Sequence, residues 1–275
     1  MATKSTIRPA MARSLKKQAE TFIAAWKRVR VGAGEAESVH DVRVAARRLL
    51  AAIGLIESVA PKVEVGRLRR HVQTELKRFA LLRELQITPG RLTEFVSDQT
   101  DDEILGQLTE HESRIRELVL ASMDNRQVRR IKKDVSEIAK RLVEGGKRKR
   151  EKERIRTHLS ASVEAFLSTA SVMRPDDAAS VHRARMSLKQ LRYDLELAGL
   201  LLGKKTYARL AASAEKVQDS LGNFQDLTIA ASEVEAISGS REQRLSQQIR
   251  MSAAETIVDR HDIREFEDEL VAQFD

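Results

Sequence analysis

Cysteine is absent from the chain's 275 residues, so the protein can form neither a disulfide nor a thiolate metal site. Aromatic residues make up only 4% of the sequence, which disfavours a protein that binds single-stranded nucleic acid by stacking on its bases. Long apolar runs are also missing, and the run Leu197–Leu202 is far too short to span a bilayer. Charged side chains are abundant instead, with 49 Lys or Arg and 41 Asp or Glu.

Proline occurs only four times, at positions 9, 61, 89 and 175, and each stands where a helix could begin. Ala, Leu, Arg, Glu and Lys dominate between the prolines, with no sustained alternation of apolar and polar residues. This pattern predicts an all-α fold of about ten helices, arranged as two bundles of the four-helix type. Single helices are predicted over 61–83 and 241–270. Helix breaks are predicted at Gly32-Ala33-Gly34, Thr88-Pro89-Gly90 and Gly203, before Asn223, and at Gly239.

One basic segment occurs twice. Residues 39–49 carry a histidine and two arginines at the i, i+3, i+7 spacing of a single helix face, and the arrangement returns 142 residues later. The paired residues are His40 and His182, Arg43 and Arg185, and Arg47 and Lys189. The same offset continues downstream, for example from Leu55 to Leu197. It predicts an internal duplication into two half-domains, 1–146 and 147–275, related by a pseudo-twofold axis.

Further basic residues follow in each half. Arg67, Arg70 and Lys77 form a second stripe on the next predicted helix of the first half. In the second half only Arg209 is in register with them, and Lys216 lies one turn away. Few acidic residues stand four positions from the cations on these helices, so we expect the stripes to attract an anion.

Both repeats resemble the CHAD family, the conserved histidine α-helical domain. In that family a histidine is followed on a helix by basic residues at +3, +7, +8 and +10. A second helix in the family ends in a Leu-rich turn, which Arg83-Glu84 and Gln225-Asp226 match loosely. The resemblance covers nearly the whole chain. It implies an all-helical fold with a basic central cavity or pore that binds inorganic polyphosphate, and it implies no enzymatic activity.

The resemblance places the predicted polyphosphate site on both repeats, although Leu50 and Gln190 stand where the family has a basic residue. The predicted binding residues are His40, Arg43, Arg47, Arg48, Arg67, Arg70, Lys77, Arg83, His182, Arg185, Lys189, Arg192, Arg209 and Lys216. Taken alone, these residues indicate only that the ligand is an extended polyanion. The family resemblance supplies the choice of polyphosphate.

The two repeated histidines allow three interpretations. An imidazole can donate a hydrogen bond to phosphate, pack internally against a carboxylate or the backbone, or bind a metal. Neither His40 nor His182 has His, Asp or Glu at +3 or +4 to complete a ligand pair on its helix. The metal site is therefore the weakest of the three interpretations, and no metal or other cofactor is predicted.

Two other functions compete with polyphosphate binding. A nucleic-acid binder fits the net charge of +8, but no recognised reading motif is present. A metal-dependent phosphohydrolase would need clustered carboxylates, which only Glu84 and Asp226 could supply, if they converge. No P-loop, GxSxG or HExxH motif occurs, so the chain is predicted not to be an enzyme.

Charge is distributed unevenly along the chain. Residues 126–156 carry fourteen cations against five anions, whereas 219–275 carry five cations against thirteen anions. We interpret the basic cluster Lys147–Arg156 as a solvated linker rather than a nucleic-acid patch. The first eight residues lack the apolar region of a secretory signal. The protein is therefore predicted to be cytoplasmic and without membrane contact. The family resemblance implies an association with polyphosphate granules, and no oligomeric state is predicted.

Overall fold

Helices make up almost all of the computed structural model, which describes residues 7–95, 99–145, 150–174, 177–203, 205–238, 243–256 and 261–274. Within these ranges there are eleven helices and no strand, so the all-α prediction is confirmed. The helices are α1 Ile7–Val31, α2 Ala36–Val59, α3 Gly66–Arg78, α4 Ala80–Leu92, α5 Gln99–Ser122, α6 Asn125–Glu144, α7 Glu151–Ser171, α8 Ala178–Leu202, α9 Lys205–Ser238, α10 Gln243–Thr256 and α11 His261–Phe274. None of the helices in the described ranges is both long and apolar enough to cross a membrane.

The turn between α1 and α2 lies at the predicted break, Gly32-Ala33-Gly34. Gly34 has φ of +80°, and its N–H donates a hydrogen bond to the carbonyl of Val29 at 2.8 Å, which closes the end of α1. A Cβ at this position would also lie 2.9 Å from Cγ of Arg116. Both the backbone conformation and the close approach of α5 therefore require glycine here.

The two helices that carry the repeated segment, α2 and α8, also form where they are predicted. α8 begins after Asp177, whose carboxylate accepts hydrogen bonds from the N–H groups of Ala179 (3.0 Å) and Ser180 (3.2 Å). Each helix buries an apolar face, on which Leu49 in α2 and Leu191 in α8 are fully enclosed. This burial fixes the rotation of both helices, and with it the direction in which their cations point.

The predicted helix over 61–83 is two helices. Pro61 lies in a turn, and α3 begins only at Gly66. Phe79 separates α3 from α4, since its ψ of 4° lies outside the helical region. Its side chain is 1% exposed. The bend therefore coincides with burial of a large aromatic ring, a tertiary effect that helical periodicity does not reveal.

The predicted break at Thr88-Pro89-Gly90 is wrong, because α4 continues through Pro89 to Leu92. An interior proline costs about 3 kcal/mol, since it removes one N–H and crowds the preceding turn. Leu85 and Leu92 are fully buried on either side of it. Burying two leucines contributes about 1.5–3 kcal/mol each, which offsets that cost.

The predicted break before Asn223 is also wrong, because α9 is one helix of 34 residues. Leu221 and Phe224 flank the break position and are 1% and 4% exposed. Gly222 lies inside α9, and a glycine in a helix interior destabilises the fold by about 1 kcal/mol. Burial of the Leu221 and Phe224 side chains contributes more stability than this. Conversely, the single helix predicted over 241–270 is two helices, α10 and α11.

One continuous apolar core joins the two predicted halves. α1 packs against α2 and α6, and α7 packs against α8. Across the halves, α2 contacts α7 and α8, and α4 contacts α9. Within the first half, buried Glu75 accepts a hydrogen bond from Nε1 of Trp26 at 2.8 Å. This packing turns one face of α2, α4, α8 and α9 toward a shared space.

Some predicted features lie outside the described residues. These are residues 146–149 of the basic linker, Lys204 in the repeat, and the break at Gly239. The division of the chain at residue 146 therefore stays a prediction.

Candidate functional site

Four helices, two from each predicted half, surround a cavity of about 620 Å³. α2 and α4 supply one side, and α8 and α9 supply the other. Its basic lining residues are His40, Arg43, Arg47, Arg83, Arg91, His182, Arg185 and Lys189. Its acidic lining residues are Glu84, Asp219, Asp226 and Glu233. The cavity thus has a cationic wall, mostly from α2 and α8, and an acidic wall, mostly from α9.

The basic stripes of α2 and α8 meet in this cavity. Burial, followed by the charge of Arg47, lowers the pKa of Arg43 to about 10. Burial also lowers the pKa of Arg47 and of Arg185. Arg43 donates a hydrogen bond to the carbonyl of Leu76 at 3.3 Å. Arg47 has no hydrogen bond or ion pair within the described ranges. These arginines repel one another in an environment that solvates them poorly.

Lys189 is the most strongly perturbed of the described cavity residues. It is 7% exposed. Burial, followed by the charges of Arg47 and Arg185, lowers the pKa of its amine to about 6. Among the residues that the structure describes, none forms a hydrogen bond or ion pair with it. Among the charges that act on this amine, the carboxylate of Asp226 alone raises its pKa, through electrostatic attraction without direct contact. Such an amine is mostly neutral at pH 7 until an anion lies beside it.

The two histidines line the cavity rather than the core. Partial enclosure of the His40 ring, followed by the charge of Arg83, lowers its pKa. Nδ1 of His182 lies 3.0 Å from Oε1 of Gln225, which orients the second ring. Both rings are exposed enough to meet a ligand. This position favours the hydrogen-bonding interpretation over internal packing.

The acidic wall is only partly neutralised. Nη2 of Arg91 donates a hydrogen bond to Asp226 at 3.1 Å, and Nη2 of Arg185 lies 4.0 Å from the same carboxylate. Burial, together with the charge of Glu233, raises the pKa of Glu84, and Arg43 opposes this shift. Six Lys and Arg side chains thus face four carboxylates in the lining. In the described part of the chain, no three His, Asp or Glu side chains converge to hold a metal ion.

A model of the CHAD domain family matches residues 13–235. The chain belongs to the CHAD domain family. A comparison with curated proteins found no match. Two solved structures share the fold. The crystal structure of the CHAD domain from the plant Ricinus communis has a TM-score of 0.76 at 20% identity, over 99% of this chain and 94% of that one. PptA from Streptomyces chartreusis has a TM-score of 0.64 at 16% identity, over 98% and 99%.

Half of the predicted binding residues line the cavity of this CHAD domain. They are His40, Arg43, Arg47, Arg83, His182, Arg185 and Lys189. Arg48 and Arg192 lie close by but point elsewhere. Nε of Arg48 lies 3.4 Å from Glu196. Nη1 of Arg192 lies 2.6 Å from Glu215, and its guanidinium lies 4.7 Å from the centroid of the Tyr193 ring. Arg48 lies off its stripe, whereas Arg192 is within about 20° of Arg185 on the helical wheel but lies about two turns farther along α8, beyond the residues that line the cavity.

The predicted stripe on α3 faces α6 instead of the cavity. Nε of Arg67 donates a hydrogen bond to Asp134 at 2.6 Å, and its Nη2 donates to Glu137 at 2.8 Å. The bond to Asp134 is the main reason that the pKa of Arg67 is raised. Arg67 and Arg70 line a separate space between α3 and α6, and Lys77 is exposed. The α3 stripe therefore lies outside the cavity that the stripes of α2 and α8 share.

The predicted residues on α9 also lie outside the CHAD cavity. Arg209 and Lys216 are exposed, and Nη1 of Arg209 lies 3.8 Å from Glu269 of α11. Arg91 also lines the cavity, although it is not among the predicted binding residues. Arg83 and Arg91 are eight residues apart and share a helix face. The wrongly predicted break at Pro89 hid this relation.

Proposed function

We propose that this CHAD domain binds inorganic polyphosphate in the cavity between α2, α4, α8 and α9. The observation that carries the proposal is the convergence of Arg43, Arg47, Arg185 and Lys189 on one poorly solvated space. Grouping like charges in this way destabilises the unliganded protein. A polyanion relieves the repulsion, and the family resemblance indicates that the polyanion is polyphosphate.

The mechanism is electrostatic. Guanidinium groups of Arg43, Arg47 and Arg185 present paired N–H donors to successive phosphoryl oxygens, and Lys189 adds a point charge. His40 and His182 donate single hydrogen bonds at the edge of the cavity. Affinity rises with chain length, because each further phosphate meets another cation and releases counterions. No catalytic step is proposed, and the role is docking to polyphosphate bodies or regulating access to them.

We also interpret α2 and α8 as equivalent helices of an internal duplication. Each brings one histidine and two cations of the repeated segment to the same cavity. The duplication then makes a single basic channel from both halves, and neither half is sufficient alone. The second half carries less basic charge beyond its stripe, because Arg83 and Arg91 both come from α4.

A binding titration with phosphate chains of graded length tests the proposal. We expect affinity to increase with chain length and to fall linearly with salt on logarithmic axes. Competition by DNA and RNA at matched salt separates polyphosphate from the nucleic-acid alternative. The described cavity lining contains no Phe, Tyr or Trp side chain on which bases could stack. Preference for nucleic acid, or affinity that ignores chain length, contradicts the proposal.

A phosphate-release assay with Mg²⁺ or Mn²⁺ tests the phosphohydrolase alternative. Glu84 and Asp226 both reach the cavity, but Asp226 is engaged by Arg91. Carboxylates bonded to arginines are poorly placed to hold a metal ion. We expect no phosphate release above the level without protein, and steady release would make the chain an enzyme.

A further inference from the structure

We propose that Lys189 takes up a proton when polyphosphate enters the cavity, so that binding strengthens as the pH falls. The inference rests on the proposed function, since it concerns the same cavity. It goes further in assigning the protonation state in which the site holds its ligand.

The amine of Lys189 lies among positively charged groups in a buried position. Lys189 is 7% exposed and lines the cavity. The titratable and charged groups that act on it are His40, Arg43 and Arg47 from α2, Arg185 from α8 itself, and Asp226 from α9. The only carboxylate among them is Asp226, which is already bonded to Arg91 at 3.1 Å. The amine therefore has positive neighbours and no anion of its own in the described structure.

Of Arg43, Arg47, Arg185 and Lys189, only Lys189 can lose its charge near neutral pH. An arginine keeps its proton even when buried, and the pKa of Arg43 stays at about 10. The pKa of Lys189 falls from 10.5 to about 6, mainly through burial. Deprotonation of one amine is thus how the unliganded cavity limits its own repulsion.

A bound polyanion changes the protonation of Lys189. Phosphoryl oxygens bring negative charge into the same poorly solvated space, which favours the ammonium form of Lys189 and raises its pKa toward the ordinary value of 10.5. Above about pH 6 the free site is neutral at Lys189, while the bound site is charged. Binding then takes up about one proton, and by linkage the affinity falls up to about tenfold per pH unit as the pH rises.

The experiment measures that proton directly. The intact protein is titrated calorimetrically with long polyphosphate chains at about pH 7.5, in two buffers with different ionisation enthalpies, at constant ionic strength. The difference in apparent binding enthalpy gives the number of protons taken up. Long chains keep the share of titrating terminal phosphates small. Working above pH 7 keeps the unliganded His40 uncharged, since its pKa lies below its ordinary 6.5. The ligand can also draw protons to the histidines of the cavity, and comparison with the Lys189 variants separates those protons from that of Lys189.

Three variants separate Lys189 from the rest of the site. Lys189→Met is expected to weaken binding and to take up about one proton fewer than the parent. Lys189→Arg is expected to lose the same proton and to show a correspondingly weaker dependence of affinity on pH between about pH 7 and 9, because a guanidinium stays charged. Lys216→Met is the matched control, since Lys216 is exposed on α9 and does not line the cavity. It is expected to take up as many protons as the parent. Circular dichroism checks that each variant folds.

The outcomes distinguish this inference from the function on which it rests. Binding by the parent without proton uptake overturns the inference and leaves polyphosphate binding in place. The inference is also overturned if folded Lys189→Met takes up as many protons as the parent. If the parent does not bind polyphosphate at any pH, the proposed function itself fails. Parent-like uptake in Lys216→Met, together with its loss in both Lys189 variants, supports the assignment.

Discussion

The stripe on α3 and the paired stripes on α2 and α8 look alike in the sequence but differ in their partners. Arg67 of α3 contacts two carboxylates of α6, Asp134 and Glu137, at 2.6 and 2.8 Å. Arg47 and Lys189 have no such partner among the residues described. Arg67 is therefore neutralised within the fold, whereas the stripes of α2 and α8 are left to attract a ligand.

Helical spacing of basic residues alone therefore does not identify an anion-binding site. Both stripes satisfy helical periodicity, and neither is matched by acids four positions away on its own helix. The deciding carboxylates of α6 come from residues more than sixty positions away in the chain. Burial adds to the difference, since Arg67 is 56% exposed in its side chain and Lys189 is only 7% exposed.

The largest expected effect is a loss of polyphosphate affinity when the stripe on α2 is removed. Replacing Arg43 and Arg47 by alanine should weaken polyphosphate binding by about 1–3 kcal/mol per cation at low salt, because each removes a charge-assisted contact. Helix content should survive, since alanine favours helix. Affinity by calorimetry and helicity by circular dichroism are the two measurements.

The matched control for that prediction is Arg67→Ala with Arg70→Ala. This variant removes the same number of arginines from α3 and should leave affinity close to that of the parent. It should instead lower thermal stability, because Asp134 is 4% exposed and loses the charge of Arg67. Equal losses of affinity in the two double variants would mean that the cavity is not the binding site.

The second expected effect concerns the cost of leaving Lys189 without a partner. Lys189→Met should raise the free energy of unfolding of the unliganded protein by about 1–3 kcal/mol near pH 7, since a buried, unpaired polar group is replaced by an apolar side chain. The folded pKa of about 6 lies below the unfolded one. The unfolded chain therefore binds more protons between the two values, and parent stability rises with pH across this window.

The increase in the free energy of unfolding caused by Lys189→Met should accordingly be largest at about pH 6 and shrink toward pH 10. Urea unfolding at three pH values measures it. A gain that does not change with pH would mean that improved packing, and not the amine, accounts for the stabilisation. Adding polyphosphate should reverse the order of stability, because only the parent can pair a cation at this position with phosphate.

Helix positions were largely predictable from the sequence, because burial and turn signals agree there. α2 ends at Val59, just before Pro61, and α8 ends at Leu202, just before the predicted break at Gly203. The turns at Gly34 and Gly203 both have positive φ. The errors occur where tertiary burial overrides a local signal. α4 passes through Pro89, and α9 passes through Gly222 and Asn223.

The candidate site was predictable only in part, for a related physical reason. Helical spacing identifies which cations share a face, and it correctly grouped Arg43 with Arg47 and Arg185 with Lys189. It cannot reveal which helix packs opposite that face. The acidic wall of α9 and the contribution of Arg91 depend on how α4 and α9 cross. Those contacts join residues more than 130 positions apart.

The smallest expected effect concerns the partial neutralisation of the cavity itself. Glu84 and Glu233 lie in the same lining as the basic stripes, and the pKa of Glu84 is raised by burial and by Glu233. Replacing both with glutamine keeps their size and removes two charges that repel a polyanion. We expect polyphosphate affinity to increase by about 0.5–1 kcal/mol per carboxylate at low salt, a modest gain because both groups remain partly solvated. The gain in affinity should disappear at high salt.

Glu110→Gln is the matched control for this double variant, since Glu110 forms an exposed pair with Arg114 on α5, outside the cavity lining. Weaker binding in the double variant would mean that these carboxylates orient the arginines, as Asp226 does for Arg91, more than they repel the ligand.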